Sequence, residues 1–376
     1  RERMPNLNDL RTPALLLDQA KLQRNLDHMA ARATALGVNL RPHMKTAKSI
    51  EVAKLATRGQ EGGITVSTLA EADYFARAGF TDILYGVGIT RDKLADVDAI
   101  QDLGATVTMI LDNFDCAQDV VTRTNDLSGR FGFLIEIDCG QHRTGLLPDD
   151  AQVLQIARLL DGARNCELRG VMTHAGHSYN CDSIAAMREV AEAERAAVVA
   201  AAEIIRANGL PCEIVSVGST PTALHAEHLT GVTEMRPGVF MFGDLFQQSI
   251  GSCELEDLAV SVLTSVIAWR DDEARAMVDA GALALSLDRG APDGNGDYAY
   301  GMAADLDGRP LPGDLRIRQT NQEHGFLPGL KQALRVGDRL RVLPNHVCST
   351  AAQYDRYHII DESGEIIDSW TRTGGW

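Results

Sequence analysis

The apolar positions of this chain alternate between short runs rich in β-branched residues and longer stretches with helical spacing. In one such stretch, residues 19–36, apolar side chains recur every three or four positions before Gly37, and the Ala/Glu-rich stretch 183–208 ends at Asn208 and Gly209. The short runs occupy residues 38–43, 64–67, 82–88, 106–111, 132–138, 168–174, 213–218 and 232–242. Continuous apolar strands alternating with helices predict a parallel sheet, and eight such units predict a (β/α)8 TIM-type barrel.

After about residue 250 the pattern changes to alternating segments separated by Gly/Pro/Asp-rich turns, which predicts a smaller, mostly β C-terminal domain. Its predicted strands are 258–268, 275–280, 338–344, 357–360 and 365–370. We assign the early apolar segment 13–17 to the same domain. The predicted domains are therefore a barrel over 18–248 and a β-rich domain built from 1–17 plus 249–376.

The overall composition limits which binding partners and which cellular compartment we expect. The formal net charge of −16 argues against nucleic acid and against an anionic membrane, although a locally basic pocket could still take a small anionic substrate. The sequence contains no membrane-length apolar run, no signal-type apolar segment behind Arg1–Pro5, and seven scattered cysteines without a C-x-x-C pair. We expect a soluble cytoplasmic protein.

Reactive residues follow several of the predicted barrel strands, where the chemistry of such barrels sits. Lys45 follows the first run, and a lysine there beside cationic neighbours can form a Schiff base, although most lysines are only solvated surface charges. The segments Gly218–Thr220 and Arg236–Gly238 follow the last two runs. Small residues with open backbone N–H groups at these positions favour a phosphate site.

His346 and Cys348 form a second constellation. On an extended segment, residues i and i+2 project to the same side, so the pair could chelate one divalent ion, and a thiolate favours Zn²⁺ over Mg²⁺ or Mn²⁺. The alternative is that Cys348 is a small buried apolar residue and that His346 is a hydrogen-bonded core residue.

Three segments resemble known enzymes: 41–46 (RPHMKT), 321–325 (NQEHG) and 344–348 (PNHVC). With them, the whole chain from Arg11 onward is similar to the fold-type III enzymes that use pyridoxal-5′-phosphate (PLP), whose N-terminal barrel is of the alanine racemase type. Within that family it resembles the group of D-serine dehydratase, threo-3-hydroxy-D-aspartate dehydratase and D-threonine aldolase.

The resemblance implies a role for each candidate residue. Lys45 would be the catalytic residue that forms the Schiff base with PLP. Arg143 would contact the phenolic oxygen of the cofactor, His174 its ring and Arg236 its pyridine nitrogen. Its phosphate would be held by Ser219, Thr220, Gly238 and Val239, and a divalent metal by His346 and Cys348. Weaker candidates are Glu323 and His324 near the metal, and His177 and Tyr179.

The resemblance also ranks the activities. The motif of D-threonine aldolases usually ends in Asp, whereas Cys348 matches the dehydratases, so we expect a metal-assisted lyase that converts a β-hydroxy D-amino acid to a 2-oxo acid and ammonia. A retro-aldol enzyme and a non-catalytic PLP-binding protein stay open as alternatives. Residues 279–285 lack the tyrosine that racemases use, which disfavours racemisation. A homodimer is expected from the resemblance alone.

Overall fold

The structure, a computed structural model, describes residues 6–290 and 299–376. The chain divides into two compact units, one from the described parts of residues 1–27 and 239–372, the other from 28–238 and 373–376. Two segments of the predicted β-rich domain, Arg1–Pro5 and residues 291–298, lie outside the described residues. Across the described ranges, no helix combines the length and the apolarity that a membrane crossing requires.

Unit 28–238 contains an eight-stranded parallel barrel, as the sequence predicts. The strands are β2 (Asn39–Leu40), β3 (Ile64–Val66), β4 (Asp82–Gly88), β5 (Thr106–Leu111), β6 (Phe131–Ile137), β7 (Cys166–Thr173), β8 (Ile214–Val217) and β9 (Glu234–Met235). They follow the order β2-β9-β8-β7-β6-β5-β4-β3. A parallel bridge between His43 and Thr65 joins the two ends of that order, so the barrel closes just beyond β2.

Helices connect the barrel strands, and their ends follow the capping residues. The longest, α7 (Ile184–Ala207), begins after Ser183, whose hydroxyl accepts the N–H of Ala186, and ends at Asn208. This agrees with the helix predicted over 183–208. The helix α1 (Gln19–Leu36) precedes β2 and matches the predicted 19–36. The others are α2 (Ile50–Ala56), α3 (Leu69–Arg77), α4 (Leu94–Gln101), α5 (Phe114–Thr124), α6 (Ala151–Gly162) and α8 (Thr220–His225).

One buried ion-pair network lies beside the point where the barrel closes. The guanidinium of Arg41, just after β2, donates from Nε to Glu234 on β9 at 2.8 Å. Its Nη1 and Nη2 each donate to the carboxylate of Asp82 on β4 at 2.9 Å. Glu234 also accepts the hydroxyl of Ser216 on β8 at 2.6 Å. These side chains therefore join four strands, including the two whose loops carry Lys45 and Arg236.

The other unit is built on a nine-stranded sheet. Its path is β13-β14-β11-β10-β1-β16-β17, and β15 pairs with both β10 and β12. The predicted segment 13–17 is β1, which pairs with β10 and β16 and thus lies in this sheet. The strands are β1 (Ala14–Asp18), β10 (Val260–Arg270), β11 (Arg275–Val278), β12 (Met302–Ala304), β13 (Gln319–Thr320), β14 (Gly325–Leu327), β15 (Arg339–Leu343), β16 (Arg356–Ile360) and β17 (Ile366–Thr371).

The structure corrects one predicted strand and one predicted extended segment. The run 232–242 forms a strand only at Glu234–Met235, because Pro237 has no N–H for a ladder and 239–241 form a 3-10 turn. The segment after β15 is extended only as far as His346, which is the N-cap of α11 (Val347–Ala351). Two further short helices are α9 (Leu245–Ser249) and α10 (Ala282–Leu285).

Candidate functional site

A cavity lies at the carboxyl ends of the barrel strands, where β2, β3, β4, β6, β7 and β9 end or are followed by their loops. It is lined by His43, Lys45, Thr65, Gly86, Arg143, Met172, His174 and Arg236. Lys45, Arg143, His174 and Arg236 were predicted site residues, and the fold brings these four together. The lining is strongly basic, which suits an anionic ligand.

Two imidazoles of the lining are held neutral. Burial, together with the charges of Lys45 and Arg236, lowers the pKa of His43 and the pKa of His174 well below 6.5. The ring of His43 hydrogen-bonds to the backbone of Thr65, and that of His174 to the backbone of Gly218. A neutral imidazole can stack on or hydrogen-bond to a ligand without adding charge.

Arg236 is buried and fixed by the strand ends around it. Its Nη1 donates to Ser216 Oγ at 2.5 Å and to the carbonyl of Val217 at 3.1 Å, and its Nη2 donates to the carbonyl of Thr173 at 2.6 Å. Burial lowers the pKa of Arg236, which is nevertheless far above neutrality in proteins. The side chain is therefore a fixed cation at one wall of the cavity.

The loop that carries Arg143 is held by carboxylates of neighbouring strands. Asp138 accepts the N–H of Gly140 at 2.8 Å and lies 2.6 Å from the ring nitrogen Nδ1 of His142. Asp112 accepts the N–H of Gly145 at 2.7 Å. These bonds keep the exposed Arg143 at the cavity although its own loop contains little regular structure.

The predicted phosphate residues divide between the two units. Ser219 is the N-cap of α8. Its hydroxyl accepts the N–H of Thr222 at 3.1 Å, so this oxygen already has a hydrogen-bond partner within the protein. Thr220 begins that helix and is buried. A Cβ on Gly238 would lie 2.8 Å from the carbonyl oxygen of His43, so only glycine fits there. Val239 belongs to the other unit and begins its 3-10 turn.

His346 and Cys348 lie next to each other in unit 239–372, but not in the extended arrangement expected. His346 is extended and is the N-cap of α11, whereas Cys348 lies in the first turn of that helix. The buried Asp244 accepts the N–H of Val347 at 3.0 Å, which stabilises the start of the helix between the two residues. Asp288 Oδ2 lies 2.5 Å from His346 Nδ1. Although burial opposes it, hydrogen bonds with Asp288 and Cys348 raise the pKa of His346 to about 11.

The chemistry of this pair fits a divalent cation, because an imidazole and a thiol are ligand types that such ions take and the carboxylate of Asp288 lies beside them. Among the residues that the structure describes, no group of three or more His, Cys, Asp and Glu side chains is arranged to hold a metal ion. The pair would therefore supply two ligands and leave the other positions to water or substrate. Asp288 was not found from the sequence, since 58 positions separate it from His346 and no local pattern marks it.

The weaker candidates lie on turns. Glu323 and His324 are exposed between β13 and β14, where the N–H of Asn321 donates to the carbonyl of His324 at 2.9 Å. His177 and Tyr179 lie in the 3-10 turn 176–180, and the ring centroids of His174 and Tyr179 are 6.4 Å apart.

A parallel barrel with a lysine at a basic cavity, combined with a β-rich unit that carries a His/Cys pair, defines a class of cofactor-dependent enzyme rather than a binding module. Comparison with known proteins agrees. Residues 17–245 match the model of the alanine racemase N-terminal domain, and residues 259–360 match that of a putative serine dehydratase domain. The chain belongs to the family of fold-type III, alanine racemase-like PLP enzymes.

Individual relatives cover the whole chain. It is 44% identical to D-threo-3-hydroxyaspartate dehydratase of Delftia sp. and 31% identical to D-serine dehydratase of Dictyostelium discoideum, over 98% and 100% of both chains. The solved structure of the Delftia enzyme has a TM-score of 0.95 and covers 99% of this chain and 100% of that one. D-threonine aldolase of Filomicrobium marinum is more distant, with 25% identity, a TM-score of 0.84 and coverage of 98% and 96%.

Proposed function

We propose that this chain is a PLP- and divalent-metal-dependent dehydratase that converts D-threo-3-hydroxyaspartate or D-serine to a 2-oxo acid and ammonia. The observation that carries the proposal is the 44% identity to the Delftia dehydratase over 98% of both chains. The proposed chemistry needs a lysine for PLP and a metal site, and this chain offers a candidate for each.

The cavity of the barrel fits PLP. Its lining combines the cations Lys45, Arg143 and Arg236 with two neutral imidazoles, and it holds a buried hydroxyl, Thr65 Oγ1, that has no hydrogen-bond partner in the described chain. A buried polar group without a partner calls for a ligand or water to satisfy it. An anionic, planar cofactor with several acceptor oxygens would do so.

PLP, when bound, supplies a covalent link to the substrate amine and an electron sink for the electrons left on Cα. The protein residues have separate tasks. Lys45 would carry the cofactor and, once released, take the proton from Cα with its Nζ. Arg143 and His174 would contact the phenolic oxygen and the ring. Ser219, Thr220, Gly238 and Val239 are the proposed phosphate residues.

Arg236 is the proposed partner of the pyridine nitrogen. Its three hydrogen bonds to Ser216, Val217 and Thr173 fix the guanidinium, and an arginine does not give up its proton readily. A fixed donor of this kind weakens the electron sink. Charge on Cα would then be short-lived, which favours rapid elimination of a β-substituent over racemisation.

His346 and Cys348 are the proposed metal ligands. Two solved mutants of D-threo-3-hydroxyaspartate dehydratase replace a histidine and a cysteine with alanine at positions two residues apart, the spacing of His346 and Cys348, and the cysteine mutant is in a metal-free form. A divalent ion supplies Lewis acidity toward the β-hydroxyl, which is otherwise a poor leaving group. The thiolate leads us to propose Zn²⁺, with Mg²⁺ and Mn²⁺ as the alternatives that metal replacement would identify.

The experiment is a product analysis of the protein reconstituted with PLP and each metal in turn. D-threo-3-hydroxyaspartate, D-serine and D-threonine are offered separately, and ammonia, 2-oxo acid and glycine are measured. We expect ammonia and an equal amount of oxaloacetate or pyruvate, lost after chelation. Glycine with an aldehyde would instead identify a retro-aldol enzyme, and PLP binding without turnover would identify a carrier.

We further propose that the enzyme is a cytoplasmic homodimer. The family resemblance supports the dimer, and the odd number of scattered cysteines supports a reducing compartment. Light scattering coupled to gel filtration would measure the mass directly, and a monomer of 40.7 kDa would contradict the dimer.

A further inference from the structure

A buried carboxylate on the helix between β7 and β8 is not used by the proposed chemistry. Glu194 lies on α7 and is 1% exposed, whereas the other buried residues of that helix are Met, Ala, Val and Ile. Burial raises the pKa of Glu194, because the barrel wall disfavours its charge. A buried acid is costly unless it is hydrogen-bonded, so its partners identify its role.

Two of those partners are backbone N–H groups, one in the loop after β7 and one in the loop after β8. Glu194 Oε1 accepts the N–H of Ala175 at 2.9 Å and the N–H of Gly218 at 3.1 Å. Ala175 directly follows His174, and Gly218 directly precedes Ser219. A single oxygen thus joins the loop after β7 to the loop after β8, although 43 positions separate the two donors along the chain.

Further hydrogen bonds connect this junction to the cavity lining. The ring of His174 hydrogen-bonds to the backbone of Gly218. The His174 side chain and the backbone next to it therefore both depend on the position of the loop after β8. The carboxylate also hydrogen-bonds to the side chain of Thr222, in the first turn of α8. Moving Glu194 would therefore displace His174 and the Ser219–Thr222 turn together.

We propose that Glu194 is a positioning residue for the cofactor site, which fixes the loops of His174 and Ser219 through its two backbone hydrogen bonds. The role rests on the proposed function, since these loops are the ones assigned to the PLP ring and phosphate. It requires the acceptor geometry of the side chain rather than its charge. An amide oxygen at the same place would serve, whereas a shorter or apolar side chain would not.

The test compares Glu194→Gln, Glu194→Asp and Glu194→Leu with Glu203→Gln, a control on the exposed side of the same helix. PLP is removed and titrated back, and its dissociation constant is read from absorbance. Hydrogen–deuterium exchange of the Ala175 and Gly218 amides is measured in the cofactor-free proteins. Circular dichroism establishes that each variant is folded.

We expect Glu194→Gln and the control to bind PLP within about threefold of the wild type. Glu194→Asp and Glu194→Leu should bind it about tenfold more weakly or worse, which corresponds to the loss of about one hydrogen bond. The two amides should exchange faster in the same two variants. If Glu194→Leu does not fold, Glu194→Asp carries the comparison.

Other outcomes overturn the proposal. Wild-type PLP affinity and unchanged amide exchange in Glu194→Asp would show that the loops do not need this acceptor. A loss in Glu194→Gln as large as the loss in Glu194→Asp would show that an amide oxygen does not serve here, so acceptor geometry alone would not explain the role. A wild-type protein that binds no PLP would refute the proposed function instead. Hydrogen–deuterium exchange of the Ala175 and Gly218 amides would still test the role of Glu194 in that case.

Discussion

Replacing Arg41 with methionine is expected to destabilise the barrel by about 3–5 kcal/mol, the usual effect of breaking one side of a buried ion pair. Arg41 and Glu234 are both almost fully buried and lie 2.8 Å apart. Without the guanidinium, Glu234 keeps its hydrogen bond from Ser216 and the electrostatic attraction of Arg236, but it loses the cation that hydrogen-bonds to it directly. Asp82 is half-exposed and can be solvated, so it adds little to the loss.

The loss in the free energy of unfolding can be measured by urea denaturation of the cofactor-free protein, from the shift of the unfolding midpoint at a constant dependence on urea concentration. The double variant Arg41→Met with Glu234→Leu should recover most of the stability, because it removes the orphaned charge. Arg77→Met is the matched control, because its pair with Asp73 is exposed on α3 and an exposed ion pair contributes little to stability. A loss below about 1 kcal/mol in Arg41→Met, or no recovery in the double variant, would refute the reasoning.

Three further predictions concern the sites. Lys45→Ala should abolish the covalent attachment of PLP that borohydride traps, and mass spectrometry finding the label on another lysine would contradict this. His346→Ala should weaken Zn²⁺ binding at least about tenfold in a chelator competition, whereas unchanged affinity would exclude it as a ligand. Because burial lowers the pKa of His174 below 6.5, the unfolded state takes up the proton first and stability falls as pH drops below 6.5. His174→Asn should reduce that slope by up to about 1.4 kcal/mol per pH unit, and an unchanged slope would contradict it.

The fold was predictable where the pattern is local. Barrel strands are buried on both faces and read as short apolar runs, so β4 and β5 fall within the residues predicted for them. The bounds of α7 follow from Ser183 and Asn208, which lie beside it in sequence. The short strands β12–β14 were missed, because two or three residues between turns carry no periodicity.

The candidate site was predictable only in part, for a related reason. Lys45, Arg143, His174 and Arg236 follow strands, so the barrel topology alone gathers them at one cavity. Glu194 carries no such mark, because it stands inside an Ala/Glu-rich helix whose other glutamates are solvated. The turn at His346 depends on a long-range hydrogen bond between Asp244 and Val347, which local sequence cannot reveal.

The most direct measurement of the central claim follows D-threo-3-hydroxyaspartate by proton NMR, with the enzyme loaded with PLP and metal. The account predicts loss of the substrate with matching formation of oxaloacetate and ammonia, halted by a chelator and restored by metal. Glycine and glyoxylate in equal amounts, or no consumption of the substrate by a protein that carries PLP on Lys45, would contradict it.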